Sequence, residues 1–171
     1  MKTSLEEKHL FASNNSPLSV ARIDGTTLTP EIFAKKYRKD GIPVVITGLL
    51  DIEPSWNLDY LCEKLGEKKF PVRFYGRERY QQDKRNWKNM GSGVESRSIT
   101  FREYSEKLRN GEANEKDIYL GKCSLANTPL ANNSGFKSLK SQLGFTVPIT
   151  PLNLWVGVGG HTTCLHCDAF D

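Results

Sequence analysis

The residues with the clearest chemical potential lie near the end of the sequence, in residues 161–168, which read HTTCLHCD. In an extended strand, side chains two positions apart point to the same side, so His166 and Asp168 can reach a single ion. With a second imidazole from elsewhere, they would form the facial triad that holds Fe(II) and leaves positions open for oxygen and a chelating cosubstrate. The alternative is a polar pair on an exposed strand, because His-x-Asp also occurs by chance.

The elements that must position this pair are two strands joined by a turn. Residues 152–158 (LNLWVGV) are strand-like, Gly159 and Gly160 allow a turn, and residues 162–170 can form the return strand. The chain before them is predicted to mix helices and short strands. Three helices each begin at a capping residue and end before a glycine: residues 30–40 after Thr29, 58–65 after Asn57, and 101–110 after Thr100 with Glu103. Apolar runs predict strands over residues 42–47, 72–75 and 118–120, with long loops over 76–93 and from 121 to about 151.

Several of these segments together resemble the JmjC or cupin-like hydroxylase family. The matching pieces, in order along the chain, are residues 28–33 (LTPEIF), 41–48 (GIPVVITG), Trp56, Gly66, 154–157 (LWVG) and 163–168 (TCLHCD). The resemblance covers roughly residues 20–75 and 115–171. It implies an α+β fold: a cupin, or double-stranded β-helix (jelly roll), with a helical N-terminal region.

The resemblance also implies a role for four residues. His166 and Asp168 are expected to bind iron, and Thr163 to donate a hydrogen bond to a carboxylate of 2-oxoglutarate. Tyr119 is similar to a family tyrosine that contacts the same cosubstrate, although a core aromatic is the alternative for this residue. Strict alternation puts Thr163 on the opposite face from His166, so either the strand has a bulge near Cys164 or Thr163 does not contact the cosubstrate.

The family reaction is the oxidative decarboxylation of 2-oxoglutarate on Fe(II), coupled to hydroxylation of a second substrate, or to hydroxylation followed by demethylation. The resemblance therefore implies a dioxygenase, and it implies a protein side chain as the substrate. The family's third ligand, a distal histidine, and its basic partner for 2-oxoglutarate follow the His-x-Asp strand. His9 and His161 do not fit that third position.

We therefore expect the sequence to be an incomplete piece of a longer protein. Residues 1–18 are predicted to be a flexible tail, and residues 19–171 the N-terminal part of the domain, truncated after the His-x-Asp strand. Activity from these residues alone is not expected. An exposed half-barrel would favour association with another chain.

Two other functions use the same residues. Cys164 and Cys167 have the spacing of zinc ligands, with His161 and His166 nearby, although a second distant pair of ligands is absent. A non-catalytic cupin-like interaction module is the other alternative.

Composition limits the remaining possibilities. The sequence has no run of about eighteen apolar residues and begins with a polar segment, so we expect a cytoplasmic protein without a membrane contact. Its four cysteines are too sparse for a disulfide scaffold. Residues 64–109 contain thirteen Lys or Arg against six Asp or Glu, which leaves nucleic acid as an alternative partner although no RNA-binding motif accompanies them.

Overall fold

The computed structural model describes residues 19–50, 56–87, 93–137, 139–146 and 152–163. The chain divides into two compact units, Met1–Leu49 and Leu50–Asp171. The predicted boundary between a tail and a domain at residue 19 stays a prediction. Among the described helices, none combines the length and the apolar character that a membrane span requires.

The first unit contains a parallel pair of strands, β1 (Ala21–Asp24) and β2 (Val44–Thr47). Between them, α1 (Pro30–Ile32) continues as a π-helix over Phe33–Arg38. The predicted cap is confirmed, because the Thr29 side chain accepts a hydrogen bond from the Ile32 amide. The regular helix predicted over residues 30–40 instead winds more widely, and Tyr37 is the buried residue of its π-helical part.

The second unit is built on a four-stranded antiparallel sheet in the order β4-β3-β5-β6. Its strands are β3 (Lys69–Phe74), β4 (Glu95–Thr100), β5 (Ile118–Ser124) and β6 (Asn153–Val156). Three of them were expected from apolar runs. Strand β4 was not predicted, because its sequence ESRSIT is polar. In the structure it is mostly exposed and pairs with β3 along the full length of that strand.

Helices α2 (Leu58–Leu65) and α3 (Phe101–Arg109) contribute apolar side chains to the core that covers one face of this sheet. The Asn57 cap and the capping box of Thr100 and Glu103 are both present, as predicted. Two shorter helices, α5 (Ser134–Lys137) and α6 (Leu139–Gln142), lie in the segment that was predicted to be a long loop, and α4 (Glu112–Glu115) follows α3 in a segment without a prediction. The mixed α and β composition is therefore confirmed.

Tyr104 connects helix α3 to two strands of the sheet. Its side chain is fully buried, and its hydroxyl donates to the Val156 carbonyl at 2.6 Å and accepts from the Leu120 amide at 3.3 Å. Burial raises the pKa of Tyr104, so the hydroxyl remains a donor across the physiological range. This one group therefore links α3, β5 and β6.

Removing the Tyr104 hydroxyl should destabilise the protein without emptying the core. We expect Tyr104→Phe to lower the free energy of unfolding by about 1–3 kcal/mol, since a buried amide and carbonyl lose their partner. Chemical denaturation followed by circular dichroism measures this. Tyr60→Phe is the matched control, because Tyr60 is half-buried and its hydroxyl has no hydrogen bond to the described residues. Equal stability of the two variants would contradict the linking role.

Candidate functional site

Tyr119 lies on the face of the sheet that is turned away from the helices. Its neighbours Ile118 and Leu120 are fully buried in the core, so the alternation along β5 places the half-buried Tyr119 on the other side. Just beyond it, the β5–β6 register shifts between Leu120 and Cys123, where Lys122 adopts a positive φ of 55°. Such β-bulges often re-aim side chains beside functional sites.

The Tyr119 ring stacks on the imidazole of His161. The ring centroids are 4.1 Å apart and the planes are inclined by 15°. Two glycines make room for the phenol, because a Cβ atom would lie 2.6 Å from the Tyr119 ring at Gly121 and 2.8 Å from it at Gly157. The ring is therefore enclosed by backbone at its sides and covered by an imidazole on one face.

His161 is itself held by Asp117, the residue before β5. Asp117 is only 2% exposed, and its Oδ1 lies 2.9 Å from Nδ1 of His161. Its Oδ2 lies 2.5 Å from Nη2 of Arg79. Because an ionised carboxylate only accepts hydrogen bonds, Nδ1 of His161 carries the hydrogen, and Nε2 is left as an acceptor in the neutral ring.

Arg79, the third member of this network, is surrounded by aromatic rings. Its guanidinium carbon lies 4.1 Å from the ring centroid of Tyr75, 4.5 Å from Trp87 and 5.1 Å from Tyr80. These cation–π contacts stabilise a charge whose side chain is only 14% exposed. Asp117 supplies the counter-charge, and the buried Nε of Arg79 has no hydrogen-bond partner among the described residues.

The backbone next to His161 is held by the same aromatic group. The amide of Thr162 donates to the hydroxyl of Tyr80 at 3.3 Å, and that hydroxyl lies 3.5 Å from the Gly160 carbonyl. Gly160 has a φ of 84°, which a glycine adopts without strain, and this confirms the predicted turn. Both the ring and the flanking peptide groups of His161 are thus fixed to residues 75–87.

Tyr119 is well suited to donate a hydrogen bond. Burial, reinforced by the neighbouring Tyr75, raises the pKa of the Tyr119 phenol above its usual value, so the hydroxyl stays protonated at neutral pH. Arg73 stands directly opposite Tyr119 in the β3–β5 register. It is half-buried and forms no ion pair with the described residues. A donor and a cation therefore lie side by side on this face of the sheet.

The predicted site residues fall into two groups. The structure describes Tyr119 and Thr163. Tyr119 packs on His161, and Thr163, two residues after His161, is exposed. His166 and Asp168 lie outside the described residues, as do Cys164 and Cys167. The described part of the predicted return strand, residues 162 and 163, is not in a strand. Within the described ranges, no three His, Cys, Asp or Glu side chains form a metal-binding group.

The sequence did not single out Arg79, Asp117 or Trp87. Residues 76–93 were expected to form a long loop, and two 3₁₀ turns, Glu78–Gln81 and Lys84–Asn86, shape the described part of it. The only sign of this network in the sequence was that cations alternate with aromatic residues in this stretch. Asp117 adopts a φ of 47°, a conformation that aspartate tolerates better than most residues, but its partners are distant in sequence.

The basic stretch over residues 64–109 is partly compensated by acids. Seven of its cations form ion pairs in the described part of the chain: Lys64, Arg79, Arg85, Arg97, Arg102, Lys107 and Arg109. Arg79 in particular points into the buried network rather than to solvent. Less free positive charge is therefore available than the composition indicated, and a nucleic-acid partner stays a prediction.

Comparison with known proteins identifies one family. The family model described as "Cupin-like domain" matches residues 29–171. A curated relative, the bifunctional arginine demethylase and lysyl-hydroxylase psr-1 of Caenorhabditis elegans, is 36% identical over an alignment of 55 residues that covers 30% of this chain. The chain thus spans 14% of the length of that relative. No solved structure matches the chain.

The Arg79–Asp117 pair gives the site its first test. We expect Asp117→Ala to lower the free energy of unfolding by about 3–5 kcal/mol, because it leaves a buried guanidinium without a counter-charge. Asp117→Asn should cost less, because asparagine accepts the positive φ and can still accept a hydrogen bond from His161. Urea denaturation measures both losses.

The same Asp117→Asn substitution is then made in an Arg79→Met variant. Methionine removes the positive charge and occupies the space among the aromatic rings. In that background Asp117→Asn should cost much less than in the unmodified protein, because the two groups compensate each other. Equal costs in the two backgrounds would show that the pair is not coupled.

Proposed function

The chain belongs to the cupin-like domain family, and we propose that it contributes to an Fe(II)- and 2-oxoglutarate-dependent oxygenase that hydroxylates or demethylates a protein side chain. In this proposal the four-stranded sheet is part of a double-stranded β-helix. The observation that carries the proposal is the packing of Tyr119 on His161. It brings the expected cosubstrate tyrosine beside the chain segment that leads, through Thr163, to His166 and Asp168.

The donor set fits the proposed metal. One imidazole and one carboxylate, His166 and Asp168, are ligands that suit Fe(II) and leave positions open for small molecules. Bound Fe(II) would activate O₂: one oxygen atom would enter succinate as 2-oxoglutarate loses CO₂, and the other would hydroxylate a C–H bond of the second substrate. No third ligand is assigned within this chain.

The remaining residues would bind and orient the cosubstrate. The Tyr119 phenol, protonated because of its raised pKa, and the Thr163 hydroxyl would each donate a hydrogen bond to a carboxylate. Arg73, opposite Tyr119, would attract the dianion by its positive charge. The name of the Caenorhabditis elegans relative supports a basic protein side chain, arginine or lysine, as the second substrate.

The metal assignment is tested by anaerobic titration of the intact protein with Fe(II) and 2-oxoglutarate. We expect a weak visible charge-transfer band, and we expect His166→Ala and Asp168→Ala each to abolish it while the circular dichroism spectrum stays unchanged. After air is admitted, succinate should form with the unmodified protein and with neither variant. Turnover in both variants would rule out this pair as ligands.

A parallel titration with Zn²⁺ distinguishes the oxygenase from the two alternative functions. Tight zinc binding with thiolate absorption, lost in Cys164→Ser, would replace the oxygenase with a zinc site. If the protein shows neither the iron band nor the zinc–thiolate absorption, a non-catalytic interaction module is favoured.

The role of Arg73 has a matched control on the neighbouring strand. We expect Arg73→Gln to weaken 2-oxoglutarate binding about tenfold, because the dianion loses the attraction of a nearby positive charge. Arg97→Gln should leave the affinity within about twofold, because Arg97 is already paired with Glu95 on the exposed surface. The dissociation constant from the band titration measures both. Equal affinities of the two variants would exclude Arg73 from the binding site.

A further inference from the structure

We infer that His161 is a positioning residue, which transmits the rigidity of the buried Arg79–Asp117 pair to the Tyr119 ring and so sets the direction of its hydroxyl toward an anionic cosubstrate. The inference rests on the proposed function, since it concerns the binding of 2-oxoglutarate. It assigns a role to His161, which the sequence analysis considered only as a zinc ligand.

The rigid end of this arrangement is Arg79. Its guanidinium is packed among Tyr75, Tyr80 and Trp87 and forms an ion pair with a carboxylate that is almost completely buried. A charge in such surroundings is costly to move, because any displacement separates it from its only counter-charge among the described residues. Asp117 is thus fixed in place by one of its two oxygens.

The second oxygen of Asp117 orients His161. A hydrogen bond of 2.9 Å to Nδ1 sets both the position and the rotation of the imidazole, because the donor hydrogen lies in the plane of the ring. The backbone hydrogen bond from Thr162 to Tyr80 holds the same residue from the chain side. The imidazole is therefore immobilised at two points, although it lies outside the strands, five residues after the end of β6.

The immobilised imidazole in turn limits the motion of Tyr119. The nearly parallel stacking at 4.1 Å covers one face of the phenol, while Gly121 and Gly157 approach the ring closely. With these neighbours in place, the ring has little freedom to tilt, so its hydroxyl has a defined direction. A preorganised donor loses less conformational entropy when it binds a carboxylate than a mobile one does.

The test uses a double-mutant cycle on the affinity of the intact protein for 2-oxoglutarate, measured anaerobically by the Fe(II) charge-transfer band. His161→Asn keeps a donor for Asp117 and removes the stacked ring. Tyr119→Phe keeps the ring and removes the hydroxyl. We expect each single variant to raise the dissociation constant about tenfold, which corresponds to the loss of one hydrogen bond.

The double variant distinguishes positioning from an independent contribution. If His161 acts only through the Tyr119 hydroxyl, the double variant should bind about tenfold more weakly than the unmodified protein, rather than the roughly hundredfold expected for independent effects. Fe(II) affinity without cosubstrate and the melting temperature should stay close to the unmodified values in His161→Asn. Tyr60→Phe serves as the control for removal of a remote phenol hydroxyl.

Failure of the positioning role and failure of the proposed function give different results. Unchanged affinity in His161→Asn, or additive losses in the double variant, would overturn the positioning role while the oxygenase proposal stands. Absence of the band in the unmodified protein would overturn the proposed function, and this inference with it.

Discussion

The site depends on the burial of one carboxylate, that of Asp117. A carboxylate with 2% exposure is stable only when its charge is compensated, and here its two oxygens are divided between the guanidinium of Arg79 and the imidazole of His161. This division connects residues 75–87, the start of β5 and the turn after β6. These segments are far apart in sequence and have little regular structure of their own at these points.

Tyr119 lies outside the core under the helices, on the face of the sheet where it packs on His161. Its neighbours on β5 fill the core beneath helices α2 and α3, and Tyr104 attaches α3 to the sheet through the backbone of β5 and β6. The opposite face is then free to carry a protonated phenol beside a cation, Arg73. The helical layer thus stabilises the sheet, and the buried ion pair arranges its other face.

The sequence was informative where structure is locally determined. Helix α2 has the predicted bounds, because Asn57 and Gly66 mark its ends, and the capping box of α3 was readable for the same reason. Strand β4 was not predicted, since only its pairing with β3 makes its polar residues a strand. The Arg79–Asp117–His161 network was equally inaccessible, because its members are brought together by long-range contacts. Tyr119 was predicted from the family resemblance to contact the cosubstrate, and this stays a prediction; its stacking on His161 is visible only in the structure.

We propose that Tyr119, oriented by His161, faces an anionic cosubstrate held near His166 and Asp168. The most direct measurement is a crystal structure of the intact protein with Mn²⁺ in place of iron and with 2-oxoglutarate. The account predicts that His166 and Asp168 bind the metal and that the Tyr119 hydroxyl lies within hydrogen-bond distance of a cosubstrate carboxylate. A cosubstrate bound elsewhere, or a Tyr119 hydroxyl directed away from it with the His161 stacking intact, would contradict the account.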